Sequence, residues 1–168
     1  VRGGGVTVAA VQETPVVLDR EGTTEKAGRV IKEAAGVGES YVLVPGAFIP
    51  ADPDWGWRLP AWQDEMYAAR LYREAVAVPG PTVDQLAAAA SEAGSYVAIG
   101  VNEIDGGTLY NTLVYLGPDG SVLGRHRKLM PTGGERTIWG MGDGSTLDVV
   151  RTPFGTVGGL ICWENYMP

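Results

Sequence analysis

The sequence predicts an α/β fold, and three features of its first part indicate it. Residues 6–12 (VTVAAVQ) form a short apolar run rich in β-branched side chains, as in a buried strand. Apolar residues within 27–34 recur at i, i+3, i+4 and i+7, the period of one helix face, and residues 41–44 form a second apolar run before Pro45-Gly46. A strand, helix, strand order is typical of an α/β layer, in which functional sites often lie at strand ends.

Local sequence signals predict the ends of the first helix and the range of the second. Thr23 or Thr24 is the expected N-cap of the first helix, and Gly36 with Gly38 should end it. Residues 62–75 predict a second helix.

Downstream, the sequence predicts a third helix followed by strands and two hairpin turns. Thr82 and Gln85 have the spacing of a capping box, and Gly94 should end the helix that follows them. Pro118-Asp119-Gly120 and Pro153-Phe154-Gly155 are turn sequences between apolar runs. The predicted strands are residues 96–102, 111–116, 121–125, 147–151 and 156–162.

The segment before the second helix predicts an irregular loop. Residues 49–60 are dense in Pro, Trp and Asp, and Trp55 and Trp57 should line this loop. Because loops of this kind can form the wall of a pocket, Trp55 is a candidate for contact with a substrate.

Composition and charge exclude several classes of function. The 168 residues are 45% hydrophobic and carry a net charge of −7, which argues against nucleic acid and anionic membranes as partners. No apolar run approaches the ~18 residues of a membrane span, so the cytoplasm is the expected compartment. A single cysteine and a single histidine exclude a disulfide framework and the zinc motifs that need several such ligands.

Cys162, the only thiol, ends the apolar run 158–162 and precedes Trp163-Glu164-Asn165. From the local sequence it is a small buried side chain at the end of a strand, because unpaired cysteine is among the most buried residue types. The alternative is a nucleophile that the strand end presents to a cleft, activated by a neighbouring cation or base. The local sequence leaves both interpretations open.

The basic triplet His126-Arg127-Lys128 follows a predicted hairpin strand, where such a triplet is usually a solvated end. The stretch 129–136 after it has too little apolar periodicity for packing and too many small residues for a helix. A loop of this kind can hold a charge in place. Lys128 beside a thiolate could stabilise both the nucleophile and a tetrahedral anion formed from it, with Glu135 orienting the lysine.

Two long motifs make the sequence resemble the nitrilase branch of the carbon-nitrogen hydrolase superfamily. They are HRKLMPTGGERTIWGMGDGSTL at 126–147 and GGLICWENYMP at 158–168. The resemblance also covers VAAVQ at 8–12, residues 18–20, the strand leading to Ala47-Phe48-Ile49-Pro50, and residues 100–103 and 108–112, so that it spans nearly the whole chain. The Lys-Leu-Met-Pro-Thr and Cys-Trp-Glu-Asn signatures favour the nitrilases over the amidase and carbamoylase branches.

The resemblance implies an α-β-β-α sandwich of the nitrilase type with a Glu, Lys, Cys catalytic set, in one carbon-nitrogen hydrolase domain over residues 1–168. Matched position by position, it assigns Lys128 and Cys162 to that set, and Glu135 matches the family's second glutamate. The general-base position differs. Where the family has Phe-Pro-Glu-Ala-Phe, this chain has Gly46, which can neither accept a proton nor hold a charge.

The resemblance also implies a reaction, the hydrolysis of a nitrile to a carboxylic acid and ammonia. Cys162 would attack the nitrile carbon to form a thioimidate, and water would then release ammonia and the acid, with no metal or organic cofactor. Trp55, Trp163 and Glu164 are the candidate substrate-binding residues. Glycine at position 46 implies that turnover is impaired.

Three alternatives stay open. One is a non-catalytic nitrilase-like subunit or fragment, to which Gly46 points. The second is a different cysteine hydrolase that uses His126, the only histidine, as its base. The third is hydrolysis of small amides or carbamoyl groups by the same thiol.

The end of the chain lies only a few residues after Cys162, whereas family members continue well beyond their nucleophile. The sandwich is therefore expected to be incomplete in these residues. Exposed sheet edges and an apolar face would then need a covering partner. Since the resemblance is to a family of dimers and spirals, we expect a homo-oligomer.

Overall fold

The computed structural model describes residues 5–36 and 41–167, and these residues form a mixed α/β fold. The strands are β1 (Val8–Ala10), β2 (Tyr41–Leu43), β3 (Tyr96–Asp105), β4 (Thr108–Leu116), β5 (Val122–Arg127), β6 (Val150–Thr152) and β7 (Gly155–Val157). The helices are α1 (Arg20–Ala35), α2 (Trp55–Arg58), α3 (Glu65–Glu74) and α4 (Pro81–Ala93). None of the helices in the described segments is long and apolar enough to cross a membrane.

The main sheet has five strands in the order β1-β2-β3-β4-β5. β1, β2 and β3 are parallel, because helical crossovers join them, while β4 and β5 follow as antiparallel hairpin strands. β6 and β7 form a separate antiparallel pair. The α/β class that the sequence predicts is therefore confirmed.

The largest hydrophobic core lies between the main sheet and the pair of helices α1 and α4. Ala27 and Ile31 of α1 are buried in it, as the helical period of the sequence predicts, together with Leu86 of α4. Val42 and Ile99 supply the facing side of the sheet. Helices α1 and α4 thereby cover one face of the main sheet. The loops described below begin at the ends of its strands.

The predicted N-cap of α1 is wrong. Asp19 is the N-cap, and its carboxylate accepts a hydrogen bond from Gly22 N at 2.9 Å. Thr23 and Thr24 lie inside the helix, where the Thr23 hydroxyl donates to a carbonyl of the preceding loop and Thr24 to the carbonyl one turn back. Gly36 does end the helix, whereas the expectation for Gly38 lies outside the described residues.

The predicted capping box of α4 is also wrong, although the extent of the helix is right. Gly80 is the N-cap and Pro81 is the first helical residue, a position where proline's fixed φ favours the helix. Thr82 and Gln85 therefore lie within the helix and make no cap. Gly94 ends it in the left-handed conformation, as predicted.

The turn at Pro118-Asp119-Gly120 joins β4 to β5 as predicted, but β3, β4 and β5 extend further than the sequence indicates. His126 and Arg127 consequently lie within β5 and not beyond it. The predicted loop at 49–60 contains the short helix α2, and the second predicted helix begins later, at Glu65.

The prediction that Cys162 ends a strand is wrong. β7 stops at Val157, and a 3₁₀ helix begins at Cys162 itself. Gly158 and Gly159 interrupt the strand, and Gly159 packs so closely on β4 that a Cβ there would lie 2.4 Å from Leu113.

Candidate active site

Lys128 is a buried cation held by two side chains of the loop that follows it. Only 1% of the residue is exposed, and its Nζ donates to Glu135 Oε2 at 2.5 Å and to Thr132 Oγ1 at 3.2 Å. Its backbone N–H donates to Asn111 O at 2.8 Å. The expectation of a solvated strand end is wrong for Lys128, and the structure brings it together with Glu135, as the alternative required.

Glu135 is fixed by the 3₁₀ helix Gly133–Thr137 that carries it. The same oxygen that binds Lys128 also accepts a hydrogen bond from Thr132 N at 2.7 Å, which closes a capping box. Gly133 has a φ of +51°, and a Cβ there would lie 2.5 Å from the ring of Trp57. Trp57 therefore packs directly on the loop that positions the lysine.

Asn102 joins Trp139, which follows this 3₁₀ helix, to the segment after Gly46, a role that the sequence reasoning missed. Its Nδ2 donates to Ile49 O at 3.1 Å and to Ala51 O at 2.9 Å, and its Oδ1 accepts from Trp139 Nε1 at 2.8 Å. The signal was available, because an amide in the otherwise apolar strand 96–102 must find partners once it is buried.

Gly46 lies in a tight turn against β3, where Gly100 allows the two backbones to meet. A Cβ on Gly100 would come within 2.4 Å of Gly46 Cα, and Gly100 N donates to Pro45 O at 3.2 Å. At Gly46 itself an added Cβ would meet nothing within 4 Å, and its φ is not in the left-handed region. The glycine at position 46 is thus not required by packing or by backbone conformation.

Cys162 is exposed, so the interpretation of a small buried core residue is wrong. Its φ is +55°, a conformation that costs a non-glycine residue about 1–3 kcal/mol and that persists only when the surroundings impose it. Asn165 Nδ2 donates to Cys162 O at 2.8 Å and helps to hold the turn. An accessible thiol on a strained turn is a candidate nucleophile.

Glu164 and His126 form a buried pair. The Nε2 atom of His126 lies 2.8 Å from Glu164 Oε2, and its Nδ1 lies 3.3 Å from Thr146 O. Glu164 also accepts from the backbone N–H groups of Leu129 and Ile161, each at 2.7 Å. These contacts favour a structural position for Glu164 over the predicted contact with substrate, and both nitrogens of His126 are occupied.

Two further carboxylates near this region, Glu103 and Asp52, differ in whether a protein group binds them. Glu103 is buried and binds Arg125, Arg127 and the Thr112 hydroxyl. The Asp52 carboxylate has no hydrogen-bond or ion-pair partner within residues 5–36 and 41–167, whereas its backbone carbonyl accepts from Asp54 N at 2.9 Å. Asp52 is exposed, but neighbouring protein atoms partly desolvate its carboxyl group. This desolvation, followed by the negative charge of Glu135, raises the pKa of Asp52, while Lys128 opposes that rise.

An apolar cavity of about 520 Å³ lies beside Asp52, and Trp55 forms part of its wall as predicted. Trp55 packs on Tyr67 with ring centroids 5.6 Å apart, and its Nε1 is buried with no partner among the described residues. Trp163, the other predicted substrate-binding tryptophan, is exposed and contacts the ring of Tyr166. In the part of the chain that the structure describes, no group of three His, Cys, Asp or Glu side chains could hold a metal ion.

Comparison with known proteins agrees with the motifs. The profile of the family described as carbon-nitrogen hydrolase matches residues 7–168. An aliphatic nitrilase from Sinorhizobium fredii (strain HH103) is 52% identical over 95% of this chain and 53% of its own length. A nitrilase from Bacillus sp. (strain OxB-1) is 44% identical over 96% of this chain and 47% of its own. The chain spans about half the length of the curated relatives that it matches.

A solved structure shows the same fold. An amidase from Nesterenkonia sp. AN1, in a mutant with glutamine in place of a glutamate, superposes with a TM-score of 0.72 at 17% identity. The match covers 97% of this chain and 57% of that one. That structure shows covalent addition of the acetamide moiety of fluoroacetamide at the active-site cysteine.

Proposed function

The chain belongs to the carbon-nitrogen hydrolase family, and on that premise we propose that it supplies the nucleophile and the electrostatic groups of a nitrile-hydrolysing site. The observation that carries this proposal is the buried ion pair of Lys128 and Glu135. The same chain also presents the exposed thiol of Cys162 on a turn with a positive φ. The nitrilases among the curated relatives support nitriles as the substrate class.

In the proposed reaction, the Cys162 thiolate attacks the nitrile carbon, a C–S bond forms, and one π bond of the nitrile breaks. The nitrogen takes up a proton, which gives a thioimidate. Water adds to the thioimidate carbon and ammonia leaves, which gives a thioester. A second water then hydrolyses the thioester to the carboxylic acid and regenerates the thiol.

Lys128 acts electrostatically in this scheme. Its ammonium is held by Glu135 through a charge-assisted hydrogen bond, so its charge is fixed before the substrate arrives. A fixed cation out of water stabilises the thiolate and the tetrahedral anions formed from it without further reorganisation. Because Lys128 already donates to Glu135 and Thr132, it is suited to this role and not to proton abstraction.

Gly46 is the weak point of the proposed site, because no side chain at that position can take the proton from the thiol. Loss of a general base typically lowers a rate by about 10²–10⁴. We therefore propose binding with slow turnover for this form of the chain. A subunit that binds nitriles without turnover is the second candidate function, and Gly46 is the observation that favours it.

Amide hydrolysis by the same thiol is the third candidate, which the shared fold with an amidase supports. The use of His126 as the base is disfavoured, because its two ring nitrogens face Glu164 and Thr146.

The test of the proposed function is a matched nitrile and amide pair incubated with the full chain. We expect slow ammonia release from both compounds, with the nitrile reacting faster than the amide. Mass spectrometry after brief exposure to a thiol alkylator should show the adduct on Cys162. Alkylation of Cys162 only after denaturation, with ammonia release intact, would contradict the assignment of the nucleophile. Faster release from the amide would support amidase activity.

We also propose a homo-oligomer, either a dimer or a spiral, that acts in the cytoplasm, where reducing conditions keep Cys162 as a thiol. The supporting observation is that large apolar side chains are exposed, among them Leu147, Val149 and Leu160. Exposed apolar surface of this kind is typical of protein–protein contacts. Light scattering at several concentrations should show a mass that exceeds one chain. A monodisperse monomer at all concentrations contradicts this proposal.

A further inference from the structure

We propose that Glu164 is a positioning residue that sets the separation of Cys162 and Lys128 by binding the backbone next to each of them. The inference rests on the proposed function, because it assigns a role to the surroundings of the same thiol and lysine. It replaces the prediction that Glu164 contacts the substrate.

A single carboxylate connects two segments that are distant in sequence. Its Oε1 accepts from the N–H of Leu129, and its Oε2 accepts from the N–H of Ile161, each at 2.7 Å. Leu129 directly follows Lys128, and Ile161 directly precedes Cys162. The two peptide units beside the candidate catalytic side chains are therefore tied to one group.

His126 fixes the orientation of that carboxylate. It donates from Nε2 to Glu164 Oε2 at 2.8 Å, and its Nδ1 faces the carbonyl oxygen of Thr146 at 3.3 Å. Both partners are oxygen atoms, so the ring is held between the Glu164 carboxylate on one side and the Thr146 carbonyl on the other. His126 is 1% exposed and Glu164 is 5% exposed, and a charge-assisted hydrogen bond is stronger when water is excluded in this way.

The backbone at Cys162 needs such a support. A non-glycine residue at a φ of +55° stays there only if its surroundings impose the conformation, and Glu164 holds the residue immediately before it. Among the residues that the structure describes, the Glu164 side chain makes three hydrogen bonds, to the His126 ring and to the backbone N–H groups of Leu129 and Ile161. The carboxylate is therefore occupied in holding the turn.

The substitution Glu164→Gln tests this role at constant volume. An amide has one acceptor and one donor group, so either Leu129 N–H or Ile161 N–H loses its acceptor in the variant. At a fixed pH we expect iodoacetamide to modify Cys162 about tenfold more slowly, because the thiol moves away from the cation that stabilises its thiolate. A merely structural role predicts an unchanged or faster reaction, since a loosened turn exposes the thiol further.

Two reference variants make the result specific. Glu92→Gln is the matched control, because Glu92 pairs with Lys32 on the helical surface, and its alkylation rate should equal that of the unchanged protein. Lys128→Gln should slow alkylation whether or not Glu164 has a positioning role. Slowing in Lys128→Gln without slowing in Glu164→Gln overturns the inference and leaves the proposed function standing. No slowing in Lys128→Gln contradicts the proposed electrostatic role and, with it, the inference.

A second variant keeps the test decisive if Glu164→Gln does not fold. His126→Gln retains the carboxylate and both of its backbone partners and removes only the ring that orients it. Slower alkylation of Cys162 in His126→Gln supports the inference, and an unchanged or faster rate overturns it. Because modification by iodoacetamide needs no turnover, the alkylation rate of Cys162 can be measured even if the chain hydrolyses neither nitriles nor amides.

Discussion

Replacing Gly46 with glutamate should raise nitrile hydrolysis by the full chain by about 10²–10⁴, the factor that a positioned acid or base typically contributes. The physical reason is that the new carboxylate can accept the thiol proton and later activate water. The structure makes the substitution feasible, because a Cβ at Gly46 meets nothing within 4 Å and the φ there lies outside the left-handed region. Initial rates of ammonia release with a nitrile measure the effect.

Gly46→Gln is the matched control, because it adds nearly the same volume without a base. Its rate should stay near that of the glycine form, so that a gain in Gly46→Glu alone identifies proton transfer as the cause. Equal rates in the glycine and glutamate forms would contradict the assignment. Glu103 and Glu164 are engaged by protein partners, so Asp52 would then be the carboxylate to test as the base, by Asp52→Asn.

Patterns in the sequence were sufficient to predict the α/β class, because they reflect burial that recurs at a regular spacing. The helix period at Ala27 and Ile31 and the turn at Pro118-Asp119-Gly120 both correspond to observed elements. The caps were less predictable, since aspartate and threonine are both among the residue types preferred at the N-cap. Which residue serves as the cap depends on where the preceding loop lies, and that is a tertiary contact.

The candidate site likewise has features that the sequence predicts and features that it does not. The motifs identified Lys128, Glu135 and Cys162, and the structure shows the contact between the first two. The burial of Lys128 and the positive φ of Cys162 were not predictable from local sequence, because a basic triplet is usually solvated and a thiol is usually buried. Both depend on partners elsewhere in the chain, such as the carboxylate of Glu164.

Removing the charge of Lys128 should lower turnover by about 10²–10³ with KM changed only a few-fold, as when one preorganised donor to a developing anion is lost. In the structure Lys128 Nζ is bound by Glu135 and Thr132 and is fully buried. Lys128→Gln in the full chain, preferably in the Gly46→Glu background where rates are higher, allows kcat and KM to be measured separately.

Stability must be separated from catalysis in this variant, because Lys128→Gln leaves the carboxylate of Glu135 without its cation, and breaking a buried ion pair can cost about 3–5 kcal/mol. Adding Glu135→Gln removes the unpaired charge, so the double variant should recover much of the lost stability in urea unfolding while kcat stays low. Lys32→Gln, which removes a surface lysine paired with Glu92, should leave kcat unchanged. If kcat returns with stability in the double variant, Lys128 supports the fold and does not act on the reacting atoms.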